Sequence, residues 1–185
     1  MTTVKNTLEN ISSFIWNFKD YDNIRRNILG LEELFKTKKF YSQRWFYNKL
    51  VVMVTMSITE ALLIDLIYRL KESTTHFPHP LSNQQINIKL GIKNNLCKRD
   101  GRLKNLSFTQ IINFLNSHNI LLLLGFEESI LNDLNRLRNR IHINNYYKNH
   151  HKDENITFSD STAKTSFQTM INLIKEMSLK LKRPW

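Results

Sequence analysis

The sequence contains few of the residues on which disulfides and tight turns depend. Among its 185 residues there are one cysteine, Cys97, four glycines and three prolines. A single cysteine excludes a disulfide within the chain and any Cys₂His₂ or Cys₄ zinc site, and it suits a reducing compartment. Turn-rich β architectures need many more glycines and prolines, so their scarcity favours a helical fold.

Segments suited to a membrane are also scarce. Residues 1–10 contain no apolar run behind a basic start, so we expect no signal peptide. The longest apolar stretch, 50–70, is interrupted by polar or acidic residues: Thr55, Ser57, Thr59, Glu60 and Asp65. Because a bilayer span tolerates such residues poorly, we expect 50–70 to form a buried core helix. The sequence therefore predicts a cytoplasmic protein with no membrane partner.

Acidic residues are too few to balance the basic ones. The chain has 27 lysines and arginines against 16 aspartates and glutamates, a net charge of +11 at pH 7. A basic excess of this size points to an acidic partner, most often a nucleic acid. A basic surface that is merely solvated is the alternative, and composition does not separate the two.

Apolar residues recur at spacings of three and four in six segments, which predicts six helices. These segments are 5–18, 22–37, 40–72, 108–118, 126–143 and 162–181. The third is apolar on most faces, as expected of a helix at the centre of a bundle. The run from Ile120 to Leu124 forms either a short buried strand or a continuation of the preceding helix.

The predicted fold is one all-α domain over 1–185, an up-and-down bundle of about five to six helices. Two segments interrupt the helical pattern. The first, 73–107, is an irregular basic insertion between the long central helix and the helix at 126–143, with room for a short helix near 83–91. The second, 144–160, is a polar loop, after which Asp160 or Ser161 is expected to cap the last helix.

The densest basic patch of the chain lies inside the insertion. Its five cations accompany a single acid, Asp100: Lys93, Lys98, Arg99, Arg102 and Lys104. Such a patch can contact an RNA backbone through its phosphates. The other interpretation is a mobile, solvated loop.

The helix at 126–143 carries the residues best suited to chemistry. Arg138 and His142 are four positions apart, about 40° around a helix axis, so they share a face. Histidine exchanges a proton near neutral pH, and arginine offers a planar fork to phosphate oxygens. Since RNA supplies its own nucleophile, the 2′-hydroxyl, such a pair suffices for cleavage without a metal or a nucleophilic side chain. A solvated basic face with His142 packed at the bundle edge is the plainer interpretation.

The segment 134–142, LNRLRNRIH, resembles the signature helix of the HEPN superfamily. These are small α-helical bundles, many of them metal-independent ribonucleases of toxin–antitoxin, abortive-infection and other anti-phage systems. Their motif is an arginine, usually followed by a polar residue, and then a histidine after four to six intervening residues. Arg138 and Asn139 resemble its first part, and His142 follows Arg138 after three residues. A long central helix carrying 57–61, SITEA, and a closing C-terminal helix fit the same organisation.

The resemblance implies a role for each residue of the motif. His142 would be the general base on the 2′-hydroxyl, Arg138 would hold the scissile phosphate, and Asn139 would position either of them. Arg136, separated from His142 by five residues as in the family motif, is the second choice for the phosphate, and Arg140 would contact the RNA. The product would carry a 2′,3′-cyclic phosphate, with no cofactor or metal.

The resemblance also implies partners. Family members usually form homodimers in which the two motif helices face each other, and a cognate antitoxin or a defence-system protein is a further expected partner. A non-catalytic RNA- or protein-binding module of the same fold, within a defence complex, is the alternative function.

Glu60 and five scattered histidines are further titratable residues of the sequence. A carboxylate within an apolar helix needs a partner, and we expect Glu60 to orient Arg138 or His142 across the bundle. A structural ion pair or a partly exposed position is the alternative. The remaining histidines have no matching cluster of cysteines or carboxylates, so we expect no metal site: His76, His79, His118, His150 and His151.

Overall fold

The computed structural model describes residues 21–37, 44–72, 82–140 and 153–180, and these residues are mainly helical. The helices are α1 (Tyr21–Thr37), α2 (Arg44–Glu72), α3 (Ser82–Gly91) with a π-helical turn (Ile92–Leu96), α4 (Phe108–Ser117), α5 (Ile120–Leu123), α6 (Glu128–Arg140), α7 (Glu154–Thr157) and α8 (Asp160–Lys180). None of the described residues forms a strand beyond one isolated bridge, so the predicted all-α class is confirmed. The predicted helix at 5–18 lies outside the described residues.

Helix α2 is the central element of the fold. It contacts α1, α6 and α8, and its inward residues are fully buried, among them Val51, Leu62 and Leu66. In the described part of the chain, Arg44–Lys71 is the one segment long and apolar enough to cross a membrane, but 61% of its most apolar window is buried inside the protein. Burial of this extent is expected of the core helix that the sequence predicts.

Two polar contacts set the direction of α8 against α2. Asn48 near the start of α2 donates from Nδ2 to the Phe158 carbonyl oxygen and to Asp160 Oδ1, both at 2.9 Å. Two turns further along, Thr55 and Ser166 are joined by a hydrogen bond between their hydroxyl groups. From the first contact to the second, the chain runs towards its C-terminus in both helices, so α8 is parallel to α2 over this length.

The described part of the insertion, 82–107, is more regular than the sequence pattern indicates. Residues 82–91 form a helix, as allowed for 83–91, and the π-helical turn extends it to Leu96. Ile88, Ile92 and Leu96 are buried in the main core, so this half of the insertion belongs to the domain interior. Their spacing of four residues indicates a helix, but the charged residues nearby made this pattern hard to recognise.

Two smaller expectations are settled by local geometry. Ile120–Leu123 is a short helix of its own, separated from α4 by Asn119 with a φ of 57°, so it is neither a strand nor a continuation of α4. Helix α8 begins at Asp160, and the Thr162 backbone N–H donates to Ser159 Oγ at 3.2 Å, so Ser159 is the cap. The expectation that Asp160 or Ser161 caps this helix was wrong, because the Asp160 carboxylate accepts a hydrogen bond from Asn48 instead.

Helices α4 and α6 pack against each other in antiparallel fashion. At one end, Asn135 Nδ2 donates to Thr109 Oγ1 at 3.0 Å. At the other end, Asn116 Nδ2 donates to Glu128 Oε2. The beginning of α4 therefore lies beside the last two turns of α6, where the motif residues are located.

Candidate functional site

Arg138 lies in the last turn of α6, at the edge of the buried face of that helix. Leu131, Leu134 and Asn135 on the preceding turns are buried against the bundle. At about 100° per residue, Arg138 points to the same side as these three residues. Its side chain retains 31% of its surface exposed, so the guanidinium lies at the rim of the bundle and not in its interior.

Glu60 is the ion-pair partner of Arg138. The distance from Arg138 Nη2 to Glu60 Oε2 is 2.6 Å, and the Glu60 side chain is 20% exposed. The contact joins α6 to the middle of α2, as the sequence expectation of a partner across the bundle anticipated for Arg138. A guanidinium carries five N–H donors, so one carboxylate leaves others available for a second anion.

The three other basic or amide residues of the motif differ in their surroundings. Arg136 is 78% exposed and pairs with Asp133 one turn earlier on the same helix. Asn139 is exposed and Arg140 is half-buried. The structure therefore brings Arg138, and not Arg136, against the central helix.

His142 belongs to 141–152, a range outside the described residues. The shared face of Arg138 and His142 consequently remains a prediction from the sequence. The structure does describe residues 134–140 of the motif as part of one uninterrupted helix, α6.

A cleft lies between α6 and the beginning of α8. It encloses about 250 Å³ and is lined by Ile130, Asp133, Leu134 and Leu137 from α6 and by Ser159, Ser161, Thr162 and Thr165 from the other side. The α6 wall is apolar apart from Asp133, and the other wall carries hydroxyl groups. The sequence pattern gave no indication of this cleft, because it depends on how far apart two helices lie.

The basic patch of the insertion forms a defined hairpin, which we call the basic hairpin (97–104). The Lys98 N–H donates to the Arg102 carbonyl oxygen at 2.7 Å, and the Lys104 N–H donates to the Leu96 carbonyl oxygen at 2.8 Å. Gly101 turns the chain with a φ of 78°, a backbone conformation that other residues rarely adopt. The backbone of this patch is therefore a hydrogen-bonded turn, whereas its exposed side chains fit both an RNA contact and a solvated loop.

The hairpin exposes its charged side chains and buries its apolar ones. Exposed on it or immediately beside it are Lys93, Lys98, Arg99, Arg102 and Lys104. Cys97 is buried, and Leu103 packs against the core. Alternation of this kind fixes the base of the hairpin to the bundle and leaves its cations in solvent.

Asp100 is the acid at the tip of the hairpin. Its Oδ2 accepts from Arg102 Nε at 2.8 Å, and its Oδ1 accepts from the Arg102 backbone N–H at 3.0 Å. The Arg102 side chain, followed by its backbone N–H, holds the pKa of Asp100 below its usual value. Asp100 reduces the net positive charge of the tip, but both it and Arg102 stay exposed to solvent.

His118 is the one of the five scattered histidines that lies within the described residues. The His118 ring packs on Phe114, with 4.3 Å between ring centroids, and its Nδ1 lies 2.9 Å from the Phe114 carbonyl oxygen. Within the ranges that the structure describes, no group of three or more histidine, cysteine or acidic side chains is arranged to hold a metal ion. The other four histidines weighed from the sequence lie outside those ranges: His76, His79, His150 and His151.

Comparison with protein-family models, with curated proteins and with solved structures gives no match for this chain.

Proposed function

We propose that this protein is a HEPN-like, metal-independent endoribonuclease whose phosphate ligand is Arg138. The observation that carries the proposal is the ion pair between Arg138 and Glu60 at 2.6 Å, at the rim of the bundle. An arginine held by a carboxylate from another helix loses little further conformational entropy when it binds a phosphate. Its partial exposure leaves room for the ligand to approach.

Cleavage in this proposal uses the RNA's own nucleophile. His142 takes the proton of the 2′-hydroxyl, and the 2′-oxygen forms a new bond to phosphorus while the bond to the 5′-oxygen breaks. The leaving 5′-oxygen takes a proton from water. The products are a 2′,3′-cyclic phosphate and a 5′-hydroxyl, and no metal takes part.

Arg138 neutralises the charge that grows on the phosphate oxygens in the transition state, and Asn139 positions the phosphate or the histidine. Glu60 acts as a positioning residue, because it touches Arg138 and not the RNA. Arg140 contacts the RNA backbone beyond the scissile phosphate, and Arg136 remains the second choice for the phosphate itself. Loss of a single charge-stabilising donor of this kind typically costs about 10²–10³ in rate.

The test is RNA cleavage by purified variants in the presence of a chelator. His142→Ala and Arg138→Ala are expected to lose cleavage, by at least a hundredfold for Arg138. Arg136→Ala, a change of the same type two positions away, is expected to cleave at close to the wild-type rate. Undiminished cleavage by His142→Ala, or product ends without a cyclic phosphate, would refute the mechanism.

The proposal includes a homodimer formed through α6 and a role in a toxin–antitoxin or phage-defence system, in which a cognate antitoxin or defence protein restrains the activity. A two-fold interface requires one surface that complements itself. The cleft beside α6, with its wall of Ile130, Leu134 and Leu137, is the surface that such an interface would cover.

A non-catalytic RNA-binding module of the same fold is the second candidate. The observation that favours it is the exposure of five cations on and beside the basic hairpin. RNA binding without cleavage by the wild-type protein, under conditions where His142→Ala binds equally well, would select this candidate over the first.

A further inference from the structure

Strong positive charge occurs at two places that the fold brings to one end of the bundle. The Asn135–Thr109 hydrogen bond places the beginning of α4 beside the last turns of α6. The basic hairpin ends at Lys104, three residues before Ser107, the cap of α4. Three extended residues span at most about 11 Å, so the base of the hairpin lies close to the end of α6 that carries Arg138.

The connection between the hairpin and α4 is well ordered. Ser107 Oγ accepts from the Gln110 N–H at 3.3 Å, while Gln110 Oε1 accepts from the Ser107 N–H at 2.8 Å, a reciprocal capping box. Leu103 and Leu106 pack against the core on either side of Lys104. The hairpin is therefore held in one orientation relative to α4 and, through α4, to α6.

We infer that the basic hairpin is a docking site for the phosphate backbone of RNA, separate from the cleavage centre at Arg138. The inference depends on the proposed function for the identity of the polyanion, whereas its location depends only on the hairpin. Lys98, Arg99 and Arg102 supply the contacts from the tip, and Lys93 and Lys104 flank them. A strand bound there needs only to cross the beginning of α4 to reach Arg138.

The chemistry of the hairpin favours a nucleic acid over a lipid surface. Interfacial membrane segments combine cations with exposed aromatic or aliphatic side chains that enter the lipid. On this hairpin the two apolar residues, Cys97 and Leu103, face the core, and the exposed positions are charged or small. A surface of cations without apolar anchors is typical of contacts to a phosphate backbone.

Asp100 supplies a test in which affinity increases. Its carboxylate holds Arg102 through Nε and reduces the charge of the tip. Asparagine keeps the Oδ1 atom that accepts from the Arg102 N–H and so preserves the turn. Asp100→Asn is therefore expected to bind RNA several-fold more tightly, because it removes one negative charge beside the phosphates.

The experiment measures fluorescence anisotropy of a labelled single-stranded 2′-O-methyl RNA, which keeps the phosphates and lacks the attacking hydroxyl. The hairpin variant is Lys98→Gln/Arg99→Gln/Arg102→Gln. The control is Arg25→Gln/Arg26→Gln/Lys164→Gln, which removes two arginines and one lysine from exposed positions on α1 and α8. Each variant lowers the net charge by the same amount, and urea unfolding verifies that each is folded.

The hairpin variant is expected to bind at least tenfold more weakly than the control variant at low salt. Its plot of log affinity against log salt is expected to be shallower by about 2, since each single-strand phosphate contact contributes about 0.7. Equal affinities for the two triple variants, or an Asp100→Asn variant that binds no more tightly, would overturn the inference. Binding to vesicles of acidic phospholipid in preference to the RNA would also overturn it.

Failure of the docking inference and failure of the proposed function give different results. If His142→Ala still cleaves RNA while the hairpin variant loses affinity, the cleavage mechanism is wrong and the docking site stands. If His142→Ala is inactive while the hairpin variant binds as the control does, cleavage stands and the docking site is wrong.

Discussion

Glu60 in the middle of α2 and Arg138 in the last turn of α6 form an ion pair of 2.6 Å in which both side chains keep part of their surface exposed. Ion pairs with this degree of exposure contribute little to stability, about 1 kcal/mol or less, because solvent screens them. The contact matters more for where it holds the guanidinium than for the energy it adds.

Replacement of Glu60 by glutamine should separate these two effects. Glu60→Gln keeps the shape of the side chain but removes the charge that orients Arg138. We expect kcat for RNA cleavage to fall about tenfold, equivalent to roughly 1.4 kcal/mol of transition-state stabilisation. KM is expected to change less than kcat, and the free energy of unfolding by less than about 1 kcal/mol. A variant that loses stability but keeps kcat would show Glu60 to be structural only.

Gly91 and Gly30 should respond in opposite directions to alanine. A Cβ atom at Gly91 would lie 2.8 Å from His118 Nε2 and 3.2 Å from Phe114 Cε2, and the His118 ring is fixed by its contact to the Phe114 carbonyl. Gly91→Ala is therefore expected to lower the free energy of unfolding by about 1–3 kcal/mol. Gly30 lies within α1 and has no neighbour within 4 Å of the added atom.

Gly30→Ala is the matched control for Gly91→Ala. Alanine favours a helix interior over glycine by up to about 1 kcal/mol, so this variant should be more stable than the wild type. Urea denaturation of the two variants measures both effects. A Gly91→Ala protein as stable as Gly30→Ala would mean that His118 yields its position freely.

Removal of the Asn48 side chain should loosen the junction of α7 and α8 with the central helix. Asn48 is 2% exposed and donates to the Phe158 carbonyl oxygen and to Asp160. Asn48→Ala leaves these acceptors without their donor and creates a cavity, which should cost about 2–3 kcal/mol. Asn113→Ala, at an exposed position of α4, should change the free energy of unfolding by less than about 1 kcal/mol. Urea denaturation compares the two.

Tyr47 should make the stability depend on alkaline pH. The side chain is 2% exposed, and burial raises the pKa of Tyr47 to about 12. The unfolded chain has a tyrosine pKa near 10, so the folded state binds the phenolic proton more tightly. This contribution is complete below about pH 10 and is lost as the pH rises towards 12.

The measurement is the difference in the free energy of unfolding between pH 9 and pH 11. We expect this difference to be smaller for Tyr47→Phe than for the wild type, because phenylalanine does not titrate. Phenolate absorbance provides a second reading, since one tyrosine of the wild type should titrate later than the others. Identical pH dependence in the two proteins would contradict the assignment.

The helices with a strong apolar period were predictable from the sequence. Segments 22–37 and 108–118 correspond to α1 and α4 within one residue at each end. Each of these helices has one apolar face that must be buried, and that requirement appears directly in the spacing of the residues. A partner for Glu60 was predictable for a different reason, because a carboxylate within an apolar helix needs one, and Arg138 was one of the two partners expected.

Features that depend on tertiary contacts were not predictable. Ser159 caps α8 because Asn48, far away in sequence, engages Asp160. The basic hairpin was expected to be irregular, because the sequence of the segment shows mainly its charges. The turn itself depends on the φ of Gly101 and on the burial of Cys97. The helix at 82–91 was allowed by the pattern, and its continuation to Leu96 was missed although the spacing of Ile88, Ile92 and Leu96 indicates it.

The buried position of Cys97 gives the protein a built-in reporter. Its side chain is 6% exposed, and its backbone forms a bridge with Leu103 at the base of the basic hairpin. Because the chain has no second cysteine, a thiol reagent can react only with Cys97. Since this thiol is buried, the reaction requires the hairpin to open. The rate of modification thus measures how often the hairpin opens in the wild-type protein. A lower rate in the presence of RNA would show that RNA occupies the hairpin, without a dye or a mutation.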